Sequence, residues 1–165
     1  MERAGQIPAA IAAYDQAITL APQEASHHFN KGWFLFAHSR FREARSECLE
    51  GIELRPDDAL GAQMLLAAIA WPDDPENARE YLSAALSSPG ERLGPRARAM
   101  FRALALAGTD RLDEALAELR TDAYTDSDDT TLDQTDRQLL GRFQNPPLPG
   151  LDQILPLLDI SNEIQ

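Results

Sequence analysis

Lysine occurs once in this chain, at Lys31, and cysteine once, at Cys48. A lone cysteine has no partner for an intramolecular disulfide, so nothing in the sequence requires an oxidising compartment. Basic residues of any kind are scarce: 15 stand against 27 acidic residues, giving a net charge of −12 and a pI near 4.5. That balance argues against nucleic-acid partners and against anionic membrane surfaces, both of which need a cationic face. A basic partner or plain solubility accounts for the surplus. No apolar run approaches the ~18 residues of a membrane span. The apolar stretch after Met1-Glu2-Arg3-Ala4-Gly5 is broken by Asp15, too early for a secretory leader, so a cytoplasmic protein is expected. Fourteen of the 15 basic residues are arginine, a compositional habit of GC-rich bacterial genomes.

The motifs of catalysis are absent as well. There is no Gly-rich phosphate loop, no Gly-x-Ser-x-Gly and no His-Glu-x-x-His. His27 and His38 share a helix face, but about 16 Å of helix separates them, too far to share one ion. Asp126-Ser127-Asp128-Asp129-Thr130 opens like a calcium loop. Thr131 takes the place of its turn glycine, however, and Arg137 that of its bidentate glutamate. Cys48 lies on an apolar helix stripe and reads as a buried, inert thiol. No catalytic residue, metal site or cofactor is therefore expected.

What is present is helix. Hydrophobic residues make up 44% of the 165 and charged residues 25%, enough for one ordinary core. Ile7, Ala10, Ile11, Tyr14, Ile18 and Leu20 mark an amphipathic helix over 7–20, stopped by Pro22. Further helices are predicted at 26–38, with Ser26 as N-cap, and at 41–54, ended by Pro56. One at 59–71 is opened by Asp57-Asp58, and one at 75–87 by an Asp74 cap with Pro75 in its first turn. Two more follow at 95–107 and 111–120. No strand-like alternation interrupts them.

These helices repeat. Ala10-x3-Tyr14-x2-Ala17-x4-Pro22 recurs 34 residues later as Ala44-x3-Cys48-x2-Gly51-x4-Pro56. Ala78, Leu82 and Ala85 continue the series, with Pro89 one residue early, and Leu112, Ala115 and Leu119 form a degraded last copy. In the best copy, Gly32 stands where two helices must approach closely and Phe41 opens the second helix. Over residues 5–120 the pattern resembles the tetratricopeptide repeat family. The resemblance implies an all-α, right-handed α-solenoid of about three and a half helix-turn-helix repeats. Residues 1–120 would form the array, beginning at the second helix of a repeat. Residues 121–165 would supply an acidic loop, a capping helix near 131–143 and a Pro- and Leu-rich tail.

The same resemblance implies a protein or peptide partner held in a concave groove lined by the first helices. Phe29, Asn30, Trp33 and Phe36 fall there from the best repeat. Gln63, Met64, Ala67 and Trp71 follow from the next, and Arg98 and Arg102 from the last. Both tryptophans of the chain are in this set, and aromatics and arginine dominate binding hot spots. Phe29 serves the groove or the inter-helix packing equally well. Asn30 would hold a peptide backbone. Arg98 and Arg102 would clamp a carboxylate, or else pair with the acidic stretch from Asp110 to Asp136. Family members that grip chaperone C-termini use lysines and asparagines where Phe29 and Trp33 stand, so that activity is not implied. An apolar or aromatic peptide, or an amphipathic helix, is the expected ligand. The alternative is self-assembly, a homodimer through the N-terminal helix flank near Ile11 and Tyr14 or an oligomer built by the tail. Asn145-Pro146-Pro147-Leu148-Pro149-Gly150 reads as an extended spacer. Leu151, Ile154, Leu155, Leu158 and Ile160 then form a tail that caps the last repeat or occupies a groove.

Overall fold

A computed structural model describes residues 3–121 and 132–158, with side chains from Gly5 onward. The helices are α1 (Arg3–Leu20), α2 (Ala25–Ala37), α3 (Phe41–Leu54), α4 (Leu60–Ala70), α5 (Pro75–Leu86), α6 (Pro95–Gly108) and α7 (Leu112–Leu119). After them come α8 (Gln134–Arg142), the single turn α9 (Leu151–Ile154) and a 3₁₀ turn at Leu155–Leu158. No strand occurs among the described residues. The chain is an all-α solenoid: α2/α3, α4/α5 and α6/α7 pack as helical hairpins, and each hairpin stacks on the next.

Local chemistry explains the hairpins. α2 and α6 both end at a left-handed residue, Ser39 (φ 59°) and Asp110 (φ 63°). In both, the following arginine N–H reaches back to a carbonyl five residues earlier, Arg40 to Leu35 and Arg111 to Leu106, each at 2.9 Å. Those arginines then pair with a glutamate three residues on, Arg40 with Glu43 and Arg111 with Glu114, each at 2.6 Å. The repeat is thus written in its turns as well as in its faces. Gly32 sits against the next helix as expected, since a Cβ there would lie 3.0 Å from Cys48 Sγ. Gly51 makes room for the Phe29 ring.

Several caps differ from expectation. Glu24, not Ser26, caps α2, accepting from the Ser26 N–H and hydroxyl. Asp57-Asp58 do not open α4; they belong to a 3₁₀ turn, and the cap comes from 28 residues away. The Ser88 hydroxyl oxygen, buried, accepts from Ala59 N (2.8 Å) and Leu60 N (3.1 Å). Asp74 caps α5 as expected, accepting from Asn77 N.

Residues 134–158 form a strap across the ends of α2, α4 and α6. Gln138 donates to Phe36 O at the end of α2, and Arg142 donates to Ala68 O and Ile69 O at the end of α4. The Arg142 contacts satisfy carbonyls that the end of α4 leaves open, whereas Phe36 O also accepts from Ser39 N at 2.9 Å. Arg142 also lies over the Phe41 ring, 4.5 Å from its centre. The expected spacer at 145–150 is instead a compact turn: Gln144 pairs with Pro147, and Leu148 N donates to Phe143 O at 2.7 Å. Leu139, Leu140, Phe143, Leu148, Leu151, Ile154 and Leu158 are buried in the same core as the array. The strap closes the solenoid and buries these seven side chains, while Leu155 and Leu157 are half-buried. Ile160 and most of the acidic loop, including the calcium-loop-like run 126–131, lie outside the described residues.

Candidate peptide cleft

The concave side is only partly a groove. Trp33 of α2 and Phe101 of α6 stack with ring centres 5.7 Å apart and planes 9° from parallel. α4 contacts both of those helices, and Gly61 near its start lies beside the Trp33 ring. Met64 and Ala67 are fully buried and not available to a ligand. Phe36 is buried too, edge-on to Trp33 and tilted against Phe41. Trp71 is buried beneath the strap, where its indole N–H donates to Pro146 O at 2.7 Å and its ring meets Phe143 edge-on. Gln63 is half-buried, with Oε1 enclosed. Phe36, Met64, Ala67 and Trp71, four of the expected groove residues, belong to the core and its closure.

A cleft remains beside the stack. It has a volume of about 440 Å³, within the ~300–1,000 Å³ of small ligand sites. Asn30, Trp33, Phe34 and Ala37, at i, i+3, i+4 and i+7, form one wall from α2, and Ala97 and Phe101 form the other from α6. Tyr14 of α1 closes one side, its ring 5.6 Å from Phe34. Asp133, Thr135 and Asp136, at the start of α8, stand at the rim. Trp33, Asn30 and Leu93 also border a second recess of about 150 Å³ that includes Phe29, Gly61, Asp58 and Arg92. On the other side, Phe34, Ala37 and Thr135 lead into a third recess with Ile7, Ala10 and Gln134. The second and third recesses each share walls with the first and flank it on either side; together they are called the channel below.

Of the expected site, Asn30 (exposed), Trp33 and Phe29 (half-buried) line this channel. Phe29 packs on Gly51 and also lines the smaller recess. Arg98 and Arg102 do not line the channel. Their neighbours Ala97 and Phe101 do, a one-residue shift that turns the face by about 100°. Arg102 pairs with Glu118 at 3.2 Å, the acidic-stretch pairing rather than a clamp. Arg98 has no ion-pair partner among the described residues. Sequence reasoning missed Phe34, Phe101, Leu93, Asp133 and Asp136. Phe34 was legible as the i+4 neighbour of Asn30; the others depend on tertiary placement.

Polar groups elsewhere hold the fold. Lys31 bridges Asp15 of α1 and Glu47 of α3, and His28 Nδ1 lies 2.9 Å from Glu47. Burial opposes the Lys31 charge, but these hydrogen bonds outweigh it and raise its pKa. Burial, with the Glu47 charge adding, pushes the Cys48 thiol up to about 12, the inert state expected of it. No group of three or more metal-ligating side chains converges among the described residues, and no helix there is long and apolar enough to cross a membrane.

The tetratricopeptide repeat family model matches residues 2–59. Over that span the chain is similar to tetratricopeptide repeats. It is similar to two Arabidopsis thaliana proteins, the TPR repeat-containing thioredoxin TTL4 (34% identity over 91 residues) and the inactive TPR repeat-containing thioredoxin TTL3 (33% over 82). The alignments cover 55% and 50% of this chain but 13% and 12% of those proteins. No solved structure matches. Tetratricopeptide repeats are protein–protein interaction modules, and the helical architecture agrees with that class.

Proposed function

We propose that the chain is a non-catalytic recognition module that seats a short apolar or aromatic protein segment in the channel beside the Trp33–Phe101 stack. The observation that carries this reading is an aromatic-walled cleft of about 440 Å³ left open beside the Trp33–Phe101 stack. Trp33, Phe34 and Tyr14 offer rigid apolar area to a ligand at low entropic cost. Exposed Asn30, at the junction of two recesses, is placed to meet a peptide backbone. The redox activity in the relatives' names is not carried over, because these residues contain a single, buried cysteine and no Cys-x-x-Cys pair.

Panning a phage-displayed library of short peptides tests the reading. Ala37→Trp, which plugs the cleft from the end of α2, and Asn30→Ala, at an exposed position, serve as variants. Enriched peptides should lose at least tenfold in affinity to the plugged protein, with its helix content unchanged by circular dichroism. Peptides that bind the plugged protein as well as the wild type refute it.

A second reading has its own support. Among the described residues of α1 none is fully buried, and Ile7, Ala10, Ile11, Tyr14, Ala17 and Ile18 are all half-buried. That half-covered stripe suits a homodimer through α1. A molar mass by light scattering that stays monomeric at high concentration would refute it.

A further inference from the structure

We infer that the smaller recess, beside Gly61, is the specificity pocket of the channel and takes one neutral apolar side chain of leucine to phenylalanine size; this rests on the channel reading and adds the identity of the anchor. The recess has a volume of about 150 Å³ and apolar walls from Phe29, Trp33, Leu60 and Leu93. An apolar cavity of roughly that volume accommodates a benzene ring. Leucine, isoleucine, methionine and phenylalanine side chains are of that size, whereas the two fused rings of tryptophan exceed it. The charged groups at the rim already have partners. Arg92 stands between two carboxylates, 3.7 Å from Asp58 and 4.0 Å from Glu24, and Asp58 also accepts the Glu91 N–H at 3.1 Å. A neutral occupant matches such a recess, whereas a charged one would lose water there without gaining an unpaired counter-charge.

Gly61 keeps this recess open. At three other helix glycines, packing demands the missing side chain: a Cβ would lie 3.0 Å from Cys48 Sγ at Gly32, 2.4 Å from the Phe29 ring at Gly51 and 2.3 Å from Leu82 at Gly108. At Gly61 the nearest atoms would be Trp33 Nε1 at 3.6 Å and Leu93 Cδ2 at 3.7 Å, ordinary contact with two walls of the recess. The fold accepts a methyl there, but the methyl stands in the space an anchor needs. The same spot carries an open donor. The indole N–H of Trp71 donates to Pro146 O, but that of Trp33, on the Gly61 side of the recess, meets no acceptor among the described residues. A main-chain carbonyl beside the anchor side chain would accept it, so the pocket pairs an apolar hole with one polar contact that fixes the ligand's orientation.

The same library, panned in parallel on wild type and on Gly61→Ala, tests this. Wild type should enrich peptides that share a leucine, isoleucine, methionine or phenylalanine. Those peptides should bind Gly61→Ala about tenfold or more weakly, the scale on which a hydrophobic pocket discriminates one methylene. Gly61→Ala should itself enrich a smaller anchor, valine or alanine, in that place. Its melting temperature should not fall, because alanine is the better helix former and would make only ordinary contacts. A lower melting temperature would mean that the space belongs to the packing and would overturn the inference. Peptides that the Ala37→Trp plug displaces, but that share no such anchor or bind Gly61→Ala equally, would overturn it as well and leave the channel reading standing. Enrichment of no plug-sensitive peptide would overturn both.

Discussion

Phe143 is the residue through which the strap can be weighed. Its side chain is fully buried, its ring meets Trp71 edge-on at 5.6 Å, and its carbonyl accepts the Leu148 N–H that closes the strap's turn. Phe143→Ala removes a ring from a packed core that only partly collapses, a loss of about 3–5 kcal/mol. Against a total stability of about 5–15 kcal/mol that is a large fraction. At about 2–4 °C per kcal/mol, the melting temperature should fall by about 6–20 °C. The measurement is urea unfolding in a Trp33→Phe background, which leaves Trp71, beneath the strap, as the single indole. Circular dichroism reports the array and fluorescence reports the strap. If the strap is part of one core, the two transitions coincide and move together. A fluorescence transition that precedes the loss of helix, or a change below about 1 kcal/mol, would refute the view that residues 134–158 are integral. They would then be a detachable tail.

Three further outcomes are expected. Ser88→Ala should cost about 1–3 kcal/mol in urea titrations, because it leaves the Ala59 and Leu60 N–H groups buried without an acceptor; Ser87→Ala, at the exposed neighbour, should be near neutral. Cys48 should resist thiol reagents in the native protein at neutral pH and react at once in denaturant, since burial holds its thiol up to about 12. Glu24 is held down to about 2, chiefly by the Ser26 hydroxyl and then by Arg55. A lowered folded-state pKa stabilises above the unfolded value near 4.5 and is lost as pH falls toward about 2. The stability gap between wild type and Glu24→Gln should therefore be full at pH 6 and close progressively between about pH 5 and 2.

The helices of the array, their turns and their close contacts are determined by the sequence locally. Period-3.6 apolar faces, the 34-residue recurrence and the small residues at Gly32, Ala44 and Gly51 all act within one or two neighbouring helices, so they leave a readable pattern. The inert Cys48 was legible for the same reason. What the tertiary structure alone decides is which inward-facing residues stay open. Trp71 meets Pro146 across 75 residues and Gln138 meets Phe36 across 102, contacts that leave no periodic trace. On α6 the cleft is lined by Ala97 and Phe101, one residue and about 100° away from Arg98 and Arg102. A single inner face with ten candidate residues becomes a filled half under the stack and strap and an open half beside Trp33. Helix formation needs only near neighbours, whereas the surface left for a partner depends on every segment that competes to cover it.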